Sequence, residues 1–371
     1  MINLEVIGII CEYNPFHNGH IYHIQKIKEK YPDSIIILAL NGYFLERGEI
    51  SILSKEDKVK IALENNIDLV IEIPVLYGSQ SADNFAYAAV YLLNELKVNR
   101  IIFGSETNDV NKIIQIAKES DSLEYAKEIK KLLETGLNYP TALAKSLKTK
   151  FSFMPNDLLG ISYTKAILKI NNNIIPETIQ RTNSYLDVTS CDDIISASNI
   201  RNKIKNNENI TKYLPVSSYD KITTVNYEKY FDLLKAIILR SDDLSTILDV
   251  DEGIENRIKD MVKISNNVDE LVKNIKTRRY TYNKINRMLV HILIGIKKED
   301  AKLPLSYLRI LGVNRNGRNY LNTIRKDLSI SLNTDKKSKI YDYEIKATYF
   351  YDLLTGKDCI KKELSNKPII Y

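Results

Sequence analysis

Four short apolar runs rich in β-branched residues recur about every thirty residues, and no other feature restricts the fold of this chain so strongly. They are LEVIGIIC (4–11), SIIILAL (34–40), DLVIEIP (68–74) and RIIFG (100–104). Each is too short for a buried helix and suits a strand covered on both faces. Between them, apolar residues recur at helical spacing over 20–31, 55–66 and 82–96, the second helix opening on a capping pair, Ser54 and Asp57. Strand, helix, strand at this spacing is made by right-handed βαβ crossovers, so the sequence predicts an α/β fold around a parallel sheet.

Beyond residue 109 the pattern turns mainly helical, with one further strand predicted at Ile174–Gln180. A helix begins at SASNIR (196–201), and the Asn-rich NKIKNNENITKYLP (202–215) reads as the exit from a first domain, with a break at Pro215. A chain of 371 residues exceeds a typical single domain. The expected division is an α/β domain over 1–205 and a mainly helical bundle over 206–371.

Charge separates the two parts. Residues 1–200 carry 20 basic and 25 acidic side chains, residues 201–371 carry 33 and 22, and the stretch 271–340 alone carries 17 and 4. Such a stretch attracts a polyanion. Its cations alternate with Tyr and Asn in KTRRYTYNKINR (276–287) and YLRILGVNRNGRNYLNTIRK (307–326). Arg278, Arg279, Lys284, Arg287, Arg315 and Arg318 are the candidate phosphate contacts, and tyrosine stacks on unpaired bases, a mixture that fits RNA. A solvated helical face is the plain alternative.

The longest apolar runs, such as Ile35 to Leu40, fall far short of the roughly 18 residues a membrane span needs, and no charged-then-apolar leader precedes them. Cys11, Cys191 and Cys359 are far apart and show no CxxC spacing, which argues against a disulfide framework or a zinc finger. A cytoplasmic protein with no membrane partner is expected.

Three of the four histidines, His17, His20 and His23, fall within CEYNPFHNGHIYHI (11–24). In an open α/β sheet, ligands collect outside the carboxyl ends of the strands, and this segment lies there, between the first strand and its helix. Pro15 fixes the chain direction and Gly19 admits a ligand close to the backbone. The helix from His20 presents unpaired N–H groups with a partial positive charge. Phosphate suits such a place, because the imidazoles of His17 and His20 can donate to its oxygens and stabilise charge on a phosphorus under attack. A structural turn, or a metal held by His17, His20 and His23, are the competing readings; no nearby Asp or Cys completes a metal set.

Polar segments with glycine follow the other strands: NGYFLERGE (41–49), QSADNF (80–85) and GSE (104–106). The Ser-capped SASNIR puts Arg201 one turn into its helix, a second seat for phosphate oxygens.

HNGH after the first strand, joined to this late Ser-x-Ser-x-x-Arg start, resembles the HIGH-type nucleotidyltransferase superfamily. The longer strings GIICEYNPFHNGHIYHI, NGYFLERGE, ADNFAYAAV, FGSE, PNDLLGISYTKA and SASNIR together resemble the tRNA(Met) cytidine acetate ligase family. TRRYTYNKINRMLVHIL is similar to that family's helical C-terminal part. The resemblance implies a Rossmann-like nucleotidyltransferase domain followed by a mainly α-helical basic domain that binds tRNA. It implies that acetate and ATP form acetyl-adenylate, and that the acetyl group passes to N4 of the wobble cytidine of elongator tRNA(Met).

By the same resemblance, the ATP site is made by Ile7, Gly8, Ile9, Ile10, Cys11, Glu12, Tyr13, Asn14, Pro15, Phe16, His17, Asn18, Gly19 and His20, with Gly104, Asn156 and Arg181. His17, His20 and Arg201 are the candidate catalytic residues, and Mg2+ is expected to be bound through the phosphates without dedicated protein ligands. The chain departs from the family pattern at Asn41-Gly42, where Ser-Gly is expected, at Glu46-Arg47-Gly48-Glu49-Ile50, where Gln-Arg-Gly-Glu-Pro is expected, and at Tyr185-Leu186-Asp187, where Tyr-His-Asp is expected. Two other functions compete: a nucleotidyltransferase of coenzyme biosynthesis that keeps the nucleotide on a small product, and an RNA-binding scaffold with a degenerate site. The first does not require the basic second part, and the intact HNGH argues against the second.

Overall fold

In a computed structural model, residues 4–120, 122–137, 139–146, 154–182 and 193–371 are described. The Tyr185-Leu186-Asp187 segment lies outside them. The four recurring runs form β1 (Val6–Cys11), β2 (Ile35–Asn41), β3 (Leu69–Ile73) and β4 (Arg100–Ser105), joined by parallel β5 (Ile175–Gln180). The sheet order is β5-β4-β1-β2-β3, followed by β6 (Ile310–Val313) and β7 (Ile369–Ile370). The order reverses beside β1, which places the crevice where β1 leads into its helix.

Both faces of the sheet are covered, which explains the unbroken apolar runs. Ile7, Ile9, Ile36, Leu38 and Leu40 pack under α1 (Asn18–Lys30) and α2 (Lys55–Glu64). On the other face, Val6, Ile35, Ile37, Leu69 and Ile71 meet the helices Ala82–Glu95 and Pro155–Ile170. The Ser54 hydroxyl accepts from Asp57 N and caps α2 as the sequence predicts.

The second part of the chain differs from a pure helical bundle. Ile310–Val313 forms β6, antiparallel to β3, and Ile369–Ile370 forms β7 beside it. Four residues of apolar sequence do not distinguish a strand from a piece of buried helix, and the unpaired edge of β3 decides the outcome. Helices Tyr227–Arg240, Ile254–Ile264, Val268–Ile275, Tyr282–Ile294 and Lys339–Thr355 share one apolar cluster with the sheet, running from Val6 to Leu354.

A buried ion network fastens this attachment. Lys55 of α2 pairs with Glu72 of β3, with Glu344 at 3.1 Å and with Glu363 at 3.1 Å. Arg309 pairs with Glu363 and, at 3.2 Å, with Glu72. Two cations thus hold three carboxylates. Burial and the neighbouring carboxylates push Glu344 up to about 8.

Candidate active site

His17 is the N-cap of α1, and the cap is reciprocal. Its Nδ1 accepts from Gly19 N at 3.0 Å, and Nδ1 of His20 accepts from His17 N at 3.1 Å. With both Nδ1 atoms accepting, a neutral ring carries its proton on Nε2. Burial, reinforced by the charges of Arg181 and Arg201, pushes His17 down to about 3. Burial does the same to His20, whose ring stands 3.9 Å from that of His17 and packs on Tyr13 and Phe16. Both imidazoles are therefore uncharged Nε2–H donors, held rigidly at a helix N-terminus.

They line a cavity of about 240 Å³ at the carboxyl ends of the strands. Ile10, Cys11, Glu12, Tyr13, Asn14, His17, Gly19 and His20 contribute to its wall, as do Gly104, Asn156, Arg181 and Arg201. Ile7 and Ile9 do not, because their side chains are fully buried under the helices. A Cβ at Gly8 would come 2.8 Å from Leu93, so that glycine serves close helix packing. Phe16 is a core residue, Pro15 precedes it in the turn away from the wall, and Asn18 Nδ2 donates to the carbonyls of Asp193 and Lys212.

The helix Ala197–Lys205, which lines the same cavity, starts at Ser196, whose hydroxyl accepts from Asn199 N. Arg201 donates to the Asn14 carbonyl at 2.8 Å and lies 2.7 Å from Glu49. Sequence reading placed this arginine at the site but gave Glu49 no task. Glu106 is a second such case: its carboxylate accepts from Asn156 Nδ2 at 2.5 Å and lies 4.0 Å from Arg181. One acidic side chain after β4 thereby orients two expected nucleotide contacts.

The loop after β2 supplies a third wall. Glu12 accepts from Asn41 Nδ2 at 2.9 Å and from Glu46 N at 2.8 Å. Asn41, where the resemblance leads one to expect Ser, is itself buried and braces this wall residue from behind. Gly48 adopts φ +72°, and a Cβ there would meet the backbone of Asn286 at 2.3 Å. The helix Tyr282–Ile294 is seated directly on this loop. Burial pushes Glu46 up to about 7 against the pull of Arg287.

The six expected tRNA contacts do not form one surface. Arg278 and Arg279 are exposed in the turn before helix Tyr282–Ile294, with Arg279 2.6 Å from Glu252, and the Lys284 ammonium sits 4.7 Å from the Tyr280 ring. Arg287, another of the expected tRNA contacts, has a side chain only 12% exposed, held between Glu46 and Asp249. Arg315 and Arg318 are exposed on the helix Arg315–Ile324, which follows Val313. Val313 pairs with Leu69, the first residue of β3, so these two cations sit at the opposite end of the sheet from the cavity. The histidines assemble no metal cluster either. Among the described residues the one candidate set is Glu72, Glu344 and Glu363, already engaged by Lys55 and Arg309.

A largely parallel sheet whose first strand runs into a His-capped HNGH helix, with a Ser-capped helix carrying arginine at the same cavity, defines a HIGH-type nucleotidyl transferase. The family model described as HIGH Nucleotidyl Transferase matches residues 4–366. The chain is 35% identical to a tRNA(Met) cytidine acetate ligase of Caldicellulosiruptor saccharolyticus, covering 94% of each chain. It is 34% identical to one of Clostridium tetani, over 99% of this chain and 100% of that one. The crystal structure of Thermotoga maritima TmcAL bound with alpha-thio ATP superposes with a TM-score of 0.87 at 27% identity, covering 99% of both chains. The chain belongs to the tRNA(Met) cytidine acetate ligase family.

Proposed function

We propose that this cavity activates acetate with ATP and transfers the acetyl group to N4 of the wobble cytidine of elongator tRNA(Met). The reading is supported most directly by the paired Nε2–H donors of His17 and His20 at a helix N-terminus, with Arg201, one turn into the helix Ala197–Lys205, lining the same cavity. Fixed donors aimed at the phosphates stabilise charge that develops as a nucleotide is attacked. Because the rings are neutral, they offer hydrogen bonds without titrating near neutral pH.

In the first step a carboxylate oxygen of acetate attacks the α-phosphorus and pyrophosphate leaves. Like charges oppose this approach; the Arg201 cation offsets them, and the neutral His17 and His20 donors stabilise the charge that develops. In the second step N4 attacks the acetyl carbon, its proton departs, and AMP leaves. The expected nucleotide contacts are the wall residues from Ile10 to His20 with Gly104, Asn156 and Arg181. Glu12 and Glu49 already accept hydrogen bonds or pair with arginine, which suits Mg2+ carried on the phosphates rather than held in a carboxylate cage. Mg2+ there would supply further charge neutralisation.

Arg278, Arg279 and Lys284 are the tRNA contacts this reading retains, since the helix that carries Lys284 and follows the two arginines abuts the loop that walls the cavity. No described helix is long and apolar enough to cross a membrane, and a tRNA substrate implies action in the cytoplasm. Incubation with ATP, acetate and tRNA tests the reading. AMP, pyrophosphate and N4-acetylcytidine in the digested tRNA are expected, whereas a stable product that retains AMP would support the coenzyme-type alternative.

A further inference from the structure

Asn14 Nδ2 and His23 Nε2 are among the buried atoms of cavity-lining residues that have no hydrogen-bond partner among the described residues. A buried polar atom is costly to leave unpaired, and such atoms at a cavity wall mark where a ligand makes its hydrogen bonds. Asn14 belongs to the nucleotide loop already discussed. His23 does not, and it takes no part in the capping of α1.

The position of His23 separates it from the phosphate donors. It lies three residues beyond His20, about 4.5 Å farther along the helix axis, where the charge of the helix N-terminus has faded. Its electrostatic neighbour is Arg181, beside Gly104 and Ile179 at the ends of β4 and β5. Burial and the Arg181 charge push its imidazole down to about 4, so the ring is neutral near pH 7. Phe103 and Ile179, from the same two strands, add apolar wall. An uncharged hydrogen-bonding atom against apolar surface suits a base and sugar better than a phosphate.

We propose that His23 is a nucleotide-binding residue whose Nε2 hydrogen-bonds the nucleoside half of ATP, while His17, His20 and Arg201 take the phosphates. The inference rests on the ATP reading of the cavity.

Calorimetry on the full chain, with ATP and inorganic tripolyphosphate as separate probes, tests it. ATP binding by the unaltered protein is the control, and its failure would overturn the ATP reading itself. His23→Ala should weaken ATP about tenfold, the loss of one buried hydrogen bond, and leave tripolyphosphate affinity unchanged. His17→Ala should weaken both probes. His23→Gln, which keeps a polar atom near the Nε2 position, should bind ATP more tightly than His23→Ala. Unchanged ATP affinity in His23→Ala, or equal losses for the two probes, would overturn the proposal. Should His23→Ala fail to fold, His23→Phe, which keeps the ring and removes both nitrogens, carries the test: selective weakening of ATP over tripolyphosphate supports the assignment, and any other pattern overturns it.

Discussion

Arg287 Nη1 lies 3.5 Å from Glu46 Oε1 and joins a helix of the second half of the chain to the loop that follows β2. Its Nε lies 3.6 Å from Asp249, and Glu46 N in turn donates to Glu12. One guanidinium thereby anchors an acidic wall of the cavity. Arg287→Met should cost about 2 kcal/mol, less than a fully buried pair because the partners keep some exposure and stand 3.5 Å apart. Adding Glu46→Gln, the residue the family pattern has at that position, should recover part of the loss by removing the unpaired charge. Urea unfolding of the single and double variants measures both effects.

Arg201 is held by Asn14 and Glu49, so it stands in place before any nucleotide arrives. Arg201→Ala should lower acetate-dependent pyrophosphate release roughly 100-fold, the scale of losing one preorganised donor. Glu49→Gln should have a smaller effect, because it loosens the arginine without removing it. Unaltered pyrophosphate release in Arg201→Ala would take the residue out of the phosphate site.

The separation of the basic residues predicts a split in RNA binding. Replacing Arg278 and Arg279 by Ala should weaken tRNA binding and lower its salt dependence by roughly one to two counterions, while tRNA-free adenylate formation is kept. Arg279 alone should contribute less than Arg278, since Glu252 already competes for it. Arg315→Ala with Arg318→Ala should leave transfer unchanged, because these residues face the other end of the sheet. Filter binding over a salt series, paired with nucleoside analysis, distinguishes the two pairs.

All four histidines, two buried and two half-buried, have a lowered affinity for protons, His17 at about 3 and His23 at about 4. The unfolded chain therefore binds more protons than the folded one wherever imidazole titrates freely. This part of the stability is complete above pH 6.5 and is lost as pH falls below it toward the folded values. Each histidine should cost roughly 1.4 kcal/mol per pH unit in that window. Urea midpoints at pH 7.5 and 5.5 should fall accordingly, and His23→Gln should make the fall shallower.

The first four strands were legible because a sheet covered on both faces needs unbroken apolar runs, and the helices between them set a fixed interval. HNGH was legible for a related reason: its strand and helix bracket it so tightly that only one location is available. Ile310–Val313 was not, since four apolar residues pair wherever an edge is open. Arg315 and Arg278 are near in sequence and share a basic stretch, yet the antiparallel β6 reverses the chain between them. The pairing roles of Asp249 and Glu106 were not legible because each is an ordinary acid in a loop, and only folding brings an arginine to it.

β3 waits a long time for its neighbour. About 240 residues separate Ile73 from Ile310, which at synthesis rates of roughly 5–20 residues per second leaves that flank open for some tens of seconds on the ribosome. A nascent chain of this design carries a sticky, half-built platform through most of its birth, so cells making it in quantity should depend on chaperones at that stage more than its finished architecture suggests.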